Sequence, residues 1–143
     1  MDSIARWISV LHRQFQIFLN RELKDYGIHS SEYIFLINLD KEEGVSQEKL
    51  SASLFIDKAA TARAIARLEK SGLVRKARDL SDGRINLVTL TDKGLEMRGF
   101  IQSKLAHWRQ TISEGLSEEE VDYMITRLKR MSQNALIETN KDK

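Results

Sequence analysis

Residues 45–94 read VSQEKLSASLFIDKAATARAIARLEKSGLVRKARDLSDGRINLVTLTDKG, and the reading of this stretch decides the fold. Ser46 can accept a backbone N–H of a helix starting at Gln47, and Val45 can staple onto Leu50. That helix turns Leu50 and Leu54 inward and stops near Phe55. Asp57 then stands where a second helix needs its N-cap. Lys58 to Ser71 holds five alanines and neither Gly nor Pro, a composition of high helix propensity. Gly72 ends it.

On the second helix Thr61, Ile65 and Leu68 form a stripe facing a core. The other face carries Lys58, Ala59, Ala60, Ala62, Arg63, Ala66, Arg67 and Lys70, small residues interleaved with cations and without an acid. Small side chains allow close approach to base edges, and guanidinium groups pair bidentately with guanine or phosphate. This face is expected in a major groove.

Beyond Gly72 the period becomes that of strands. Leu73 to Arg78 alternates loosely, and Arg84 to Thr89 places Ile85, Leu87 and Thr89 on one side, Asn86 and Val88 on the other. Between them Asp79-Leu80-Ser81-Asp82-Gly83 is rich in turn formers. The expected hairpin projects Arg78 and Arg84, long cations of the kind that enter a narrow minor groove. Two helices and this hairpin make a winged helix-turn-helix, with double-stranded DNA as the expected partner.

The charge is distributed to match. The net charge of +2 is too small to argue for nucleic acid by itself. Residues 1–44 hold five Lys or Arg against seven acids, residues 45–94 hold ten against six, and residues 95–143 hold eight against eight. The positive excess is therefore confined to the winged helix. From Lys58 to Arg78 there are seven cations and one acid, Glu69, the footprint of a phosphate-binding surface.

Outward from this unit the chain is helical. Ser3 to Tyr26 repeats apolar residues at three and four (Ile4, Trp7, Ile8, Leu11, Phe15, Phe18, Leu19, Leu23) and closes at Gly27, one long amphipathic helix. Ile28 to Asp40 is expected as a second helix, capped by Ser30 or Ser31. Glu42-Glu43-Gly44 is a polar connection. Thr91 caps a helix from Asp92 to about Ser113, and Gly115 breaks it. Ser117 and Glu120 form a capping box, with Leu116 and Val121 as staple. A last helix from Glu118 carries Val121, Met124, Ile125, Leu128 and Met131, and a polar tail covers Thr139 to Lys143. The fold class is mainly α. It comprises N-terminal helices over 1–44, a winged helix-turn-helix with a two-stranded wing over 45–94, and C-terminal helices over 95–143, all within one structural domain. Apolar stripes at both ends exceed what a small winged helix needs, and a second copy would bury them through Ile4, Ile8, Leu11, Ile112, Val121, Met124 and Leu128.

Four signatures in order, Ile56-Asp57-Lys58, Arg67-Leu68-Glu69-Lys70-Ser71-Gly72-Leu73-Val74, Asp82-Gly83-Arg84 and Leu90-Thr91-Asp92-Lys93-Gly94, resemble those of the MarR family of bacterial transcriptional regulators. The likeness covers nearly all of the chain. It implies that the helix from Lys58 is the recognition helix, that Arg84 is the wing arginine, and that Asp82 orients it. It also implies a homodimer reading a pseudo-palindromic operator with half-sites roughly 34 to 36 Å apart. The implied action is that of a repressor released by an effector, a small amphipathic or phenolic molecule. One departure is that family members often carry Ser or Thr where this chain has Ala59 and Ala60, so readout there rests on thymine methyls.

Trp7, His12, Phe15, Phe35 and Trp108 are candidates to line an effector pocket, against the alternative that each is aromatic core. His12, His29 and His107 lack the spacing that puts two ligands on one helical face, so no metal and no cofactor is expected. With no cysteine, the thiol switch used by some members of the resembled family is excluded. No triad motif or glycine-rich phosphate loop suggests an enzyme. No signal peptide and no apolar run of membrane length is seen, and the expected location is cytoplasmic. The alternative function is a winged-helix module that binds protein rather than DNA, suggested by the weakly polar Ala59 and Ala60.

Overall fold

A computed structural model describes residues 2–141; of the polar tail expected over Thr139 to Lys143, Asp142 and Lys143 lie outside the described residues. The chain falls into two compact units, Met1–Leu105 and Ala106–Lys143. Helix α1 runs Ile4–Leu23, capped by the Ser3 hydroxyl, which accepts from the Arg6 N–H at 3.1 Å. A tighter turn at Lys24–Tyr26 carries it to Gly27. Then come α2 (Tyr33–Ile37), β1 (Val45–Ser46), α3 (Gln47–Leu54), α4 (Lys58–Lys70), β2 (Val74–Arg78), β3 (Asn86–Leu90), α5 (Asp92–Ile112) and α6 (Glu118–Thr139). Among the described residues no helix is long and apolar enough to cross a membrane.

The core of the first unit is built from the stripes that the periodicity selects. Leu19 and Leu23 of α1, Phe35 and Leu36 of α2, Leu50 of α3, Ile65 and Leu68 of α4, Val74, Val88 and Leu90 of the strands and Ile101 of α5 are all buried. Burying one such side chain stabilises by about 1.5–3 kcal/mol, so α1 and α2 are held to the winged helix by shared apolar burial.

Two expectations are corrected. The second helix is five residues long, not Ile28 to Asp40, and neither Ser30 nor Ser31 caps it. The Ser30 N–H donates to Asn20 Oδ1 at 2.9 Å and the Ser31 N–H to His29 Nδ1 at 3.1 Å. The sheet has three antiparallel strands in the order β1-β3-β2, because Val45 pairs with Val88 and Ser46 with Leu87. Only the β2–β3 hairpin forms the two-stranded wing, with Val74 opposite Leu90 and Arg78 opposite Asn86. Its second strand begins at Asn86 rather than Arg84, and its buried side is that of Val88 and Leu90.

Helix ends explain most of the signatures. At the end of α4 the Gly72 N–H reaches Glu69 O and the Leu73 N–H reaches Leu68 O, both at 3.0 Å, with Gly72 at φ 77°. This is the Schellman arrangement, which favours glycine in the left-handed position. The end of α3 repeats it: Phe55 N–H to Ala52 O at 3.4 Å and Ile56 N–H to Ser51 O at 3.1 Å, but with Phe55 at φ 57°. A Cβ in this region is strained, and Phe55 remains 72% exposed, so little burial offsets the strain. Phe55→Gly is therefore expected to stabilise the fold by roughly 0.5–1 kcal/mol. The check is a higher urea midpoint at an unchanged denaturant slope.

Thr91-Asp92-Lys93-Gly94 clasps the same α4 terminus. The Thr91 hydroxyl donates to Gly72 O at 2.6 Å and accepts the Gly94 N–H at 3.0 Å, and Lys93 Nζ donates to Ser71 O at 3.0 Å. A cation on the last carbonyls of a helix is favoured by its dipole. Asp92 pairs with Lys41, whose hydrogen bond and charge hold the carboxyl below the usual range. Gly94 lies against the Leu73 carbonyl. In the second unit Gly115 turns the chain at φ 86°, and Ser117 and Glu120 form the capping box that starts α6.

Candidate nucleic-acid interface

Helix α4 begins where Asp57 accepts the Ala60 N–H at 2.7 Å. Its core stripe is Thr61, Ala64, Ile65 and Leu68, and the opposite side exposes Lys58, Ala59, Ala62, Arg63, Ala66 and Lys70. Among the described residues Arg63 forms no ion pair, whereas Lys58 Nζ lies 3.3 Å from Glu48 on α3. The centre of the exposed face is thus small residues around an unneutralised guanidinium.

Ala60 and Arg67 sit on the flank of that face rather than at its centre. With Arg63 and Ala64 they form an i, i+3, i+4, i+7 line along a cavity of about 540 Å³, whose far walls include His12, Phe15, Tyr33 and Phe35. Of the five aromatic candidates, His12, Phe15 and Phe35 line this cavity; Trp7 and Trp108 are not among its lining residues. Trp7 stands half out of the surface of α1. Phe15 and Tyr33 meet edge to face, their centroids 5.5 Å apart, and burial pushes the Tyr33 phenol up, so it stays a neutral hydroxyl.

Glu32 is a site residue that periodicity and motif spacing do not mark. Its carboxylate is 7% exposed and accepts Arg67 Nε–H at 2.6 Å and the His29 N–H at 3.3 Å. The partners lie 35 residues apart in the chain, beyond any local periodicity.

At the wing, Arg78 donates to Gly83 O at 2.9 Å. Asp82 takes Arg84 through both oxygens, Nε at 3.2 Å and an Nη at 3.4 Å, while the Arg84 side chain stays 92% exposed. Ser81 donates its N–H and its hydroxyl to Asp79, and these bonds hold the Asp79 carboxyl below its ordinary range. Hairpin, turn bonds and carboxylate fork therefore present one extended guanidinium to solvent.

A helix-turn-helix followed by a hairpin whose tip holds an oriented arginine defines the winged-helix class. Comparison with known proteins narrows it. The MarR family model matches residues 26–85. The HTH-type transcriptional regulator BilQ of Clostridioides difficile is 30% identical over 127 residues, 89% of this chain and 86% of BilQ. A MarR protein from Peptoclostridium difficile superposes with a TM-score of 0.89 at 30% identity, over 100% of this chain and 94% of that one. A MarR family regulator from Listeria monocytogenes, solved in complex with a 26mer DNA, gives 0.88 at 28% identity, over 100% and 98% of the two chains. The chain belongs to the MarR family of transcriptional regulators.

Proposed function

We propose that this chain is a homodimeric, effector-responsive repressor that reads a pseudo-palindromic duplex in the cytoplasm. Lys58, Ala59, Ala60, Ala62 and Arg63 enter the major groove, and Arg78 and Arg84 address the adjacent minor groove and backbone, with Asp82 holding Arg84. The observation that carries the reading is the pairing of an acid-free, small-residue face on α4 with a wing arginine forked by Asp82 and exposed. The Listeria relative solved with DNA supports the choice of duplex DNA as partner.

Dimerisation is supported by large apolar side chains left exposed on the single chain: Ile4, Trp7, Ile8 and Leu11 in the first unit, and Ile112, Met124 and Leu128 in the second, whereas Val121, expected in the same set, is buried. Large apolar side chains left exposed along one helix, as at Ile4, Ile8 and Leu11 of α1, mark an interaction site. The effector is a small amphipathic or phenolic molecule, and the cavity suits one, having aromatic walls, a neutral Tyr33 hydroxyl and two guanidinium groups on its α4 side. Such a molecule releases DNA only by favouring one arrangement of the recognition helices over another.

The test is selection from a pool of randomised 26-base-pair duplexes, followed by titration of the enriched sequence across a salt series. Enrichment of a sequence with two-fold symmetry is expected, with affinity falling steeply as salt rises. A pool that stays random at every salt concentration would refute sequence-specific binding. In the same assay Leu11→Glu is expected to shift sedimentation to the monomer and to weaken binding to the enriched duplex, since half-site pairing is lost.

A further inference from the structure

Arg67 belongs to the cationic face by sequence, yet its geometry differs from that of Arg63 and Arg84. Its Nε–H is committed at 2.6 Å to a carboxylate that is nearly out of water. That carboxylate also accepts the His29 N–H, so Glu32 is fixed to the bend between α1 and α2. The bend is tied in turn to α1 by the Ser30 N–H on Asn20. A chain of polar bonds therefore runs from α1 through residues 29–32 to the third turn of α4, on the flank that the core stripe does not hold.

We propose that Arg67 is a positioning residue and not a phosphate contact, and that the Glu32–Arg67 pair fixes the roll of α4 about its own axis. The inference rests on the DNA-binding reading above. Core burial holds one side of α4, and a helix held along one side can roll on that line. Because a cavity rather than packed side chains lies beside Ala60, Arg63 and Arg67, the ion pair is what resists the roll there. Rolling would swing Arg63 and Ala59 away from base edges while leaving the fold intact. An arginine neutralised by a buried carboxylate also releases no counterion when DNA binds, whereas an unpaired one does.

The salt dependence of binding separates the two roles. Each phosphate contact contributes about 0.9 to the slope of log affinity against log salt. Wild type, Arg67→Ala, Glu32→Ala and the double variant would be titrated against the duplex enriched by the wild type, after unfolding and sedimentation show each to be folded and of wild-type assembly. We expect each single variant to bind roughly tenfold more weakly with the wild-type slope, and the double variant to be no weaker than either, as for two groups acting as one unit. The double variant also removes the stranded buried carboxylate of Arg67→Ala, so it reports even if that single variant fails to fold. A slope reduced by about 0.9 in the double variant, or Glu32→Ala binding as tightly as wild type, would overturn the proposal. Neither result touches DNA binding itself, which the enrichment by the wild type decides separately.

Discussion

Gly94→Ala is expected to cost about 3 kcal/mol or more and to leave much of the protein unfolded at 37 °C, since overpacking against a backbone that cannot yield lies at the severe end of single substitutions. A Cβ on Gly94 would collide with Leu73 O and lie 3.0 Å from Leu73 C and 3.2 Å from Leu90 Cδ2. The two nearest are backbone atoms, and the third belongs to the fully buried Leu90 side chain. Leu73 O already accepts the Thr91 N–H at 3.1 Å, and the Leu73 N–H closes α4 on Leu68 O. Relief would require lifting the start of α5 off the α4–β2 junction, and the Thr91 and Lys93 bonds to residues 71 and 72 with it. Urea unfolding measures the loss. Gly99→Ala on the same helix is the control: nothing lies within 4 Å of its Cβ, and it is expected to gain about 0.5–1 kcal/mol from helix propensity. If Gly94→Ala unfolds at the wild-type midpoint, the close crossing at Leu73 is wrong.

How much of this was legible in the sequence depends on the range of the interaction that fixes it. Ser46, Asp57, Thr91 and Ser117 could be read as caps because a cap and its N–H lie three residues apart. The stripe of Thr61, Ile65 and Leu68 is a 3.6-residue period, and it is buried. What escaped was short or non-local. Two residues of β1 cannot show alternation, and their partner is 43 residues on, Val45 against Val88. Residues 28–32 contain good cap residues, yet their polar groups are spent on Asn20, His29 and Arg67 instead. In the candidate site the cationic face was visible as composition, but composition does not say which arginine is already neutralised. Arg63 and Arg67 are four residues apart and chemically identical, and only Glu32 on a distant bend distinguishes them.

The same distinction sets the largest expected effect on binding. Arg63→Ala and Arg84→Ala should each weaken the selected duplex by roughly 1–3 kcal/mol, about 5- to 150-fold, because the first removes an unpaired guanidinium from base edges and the second an exposed one, paired only in solvent, from the wing. Reversing both charges, Arg63→Glu with Arg84→Glu, replaces attraction by repulsion and should abolish measurable binding while sedimentation and unfolding stay as in wild type. Both side chains are exposed, so neither change removes core packing. Asp82→Ala tests how Arg84 acts. Asp82 holds the guanidinium by a two-point fork, and freeing it makes binding bear the cost of ordering a long side chain, up to about 1.5–2 kcal/mol. The guanidinium that meets the phosphates is kept, so Asp82→Ala should lower affinity without reducing the salt slope, whereas Arg84→Ala should lower affinity and reduce the slope by about 0.9. If the doubly reversed variant holds the selected duplex as well as wild type, α4 and the wing are not the surface that meets DNA.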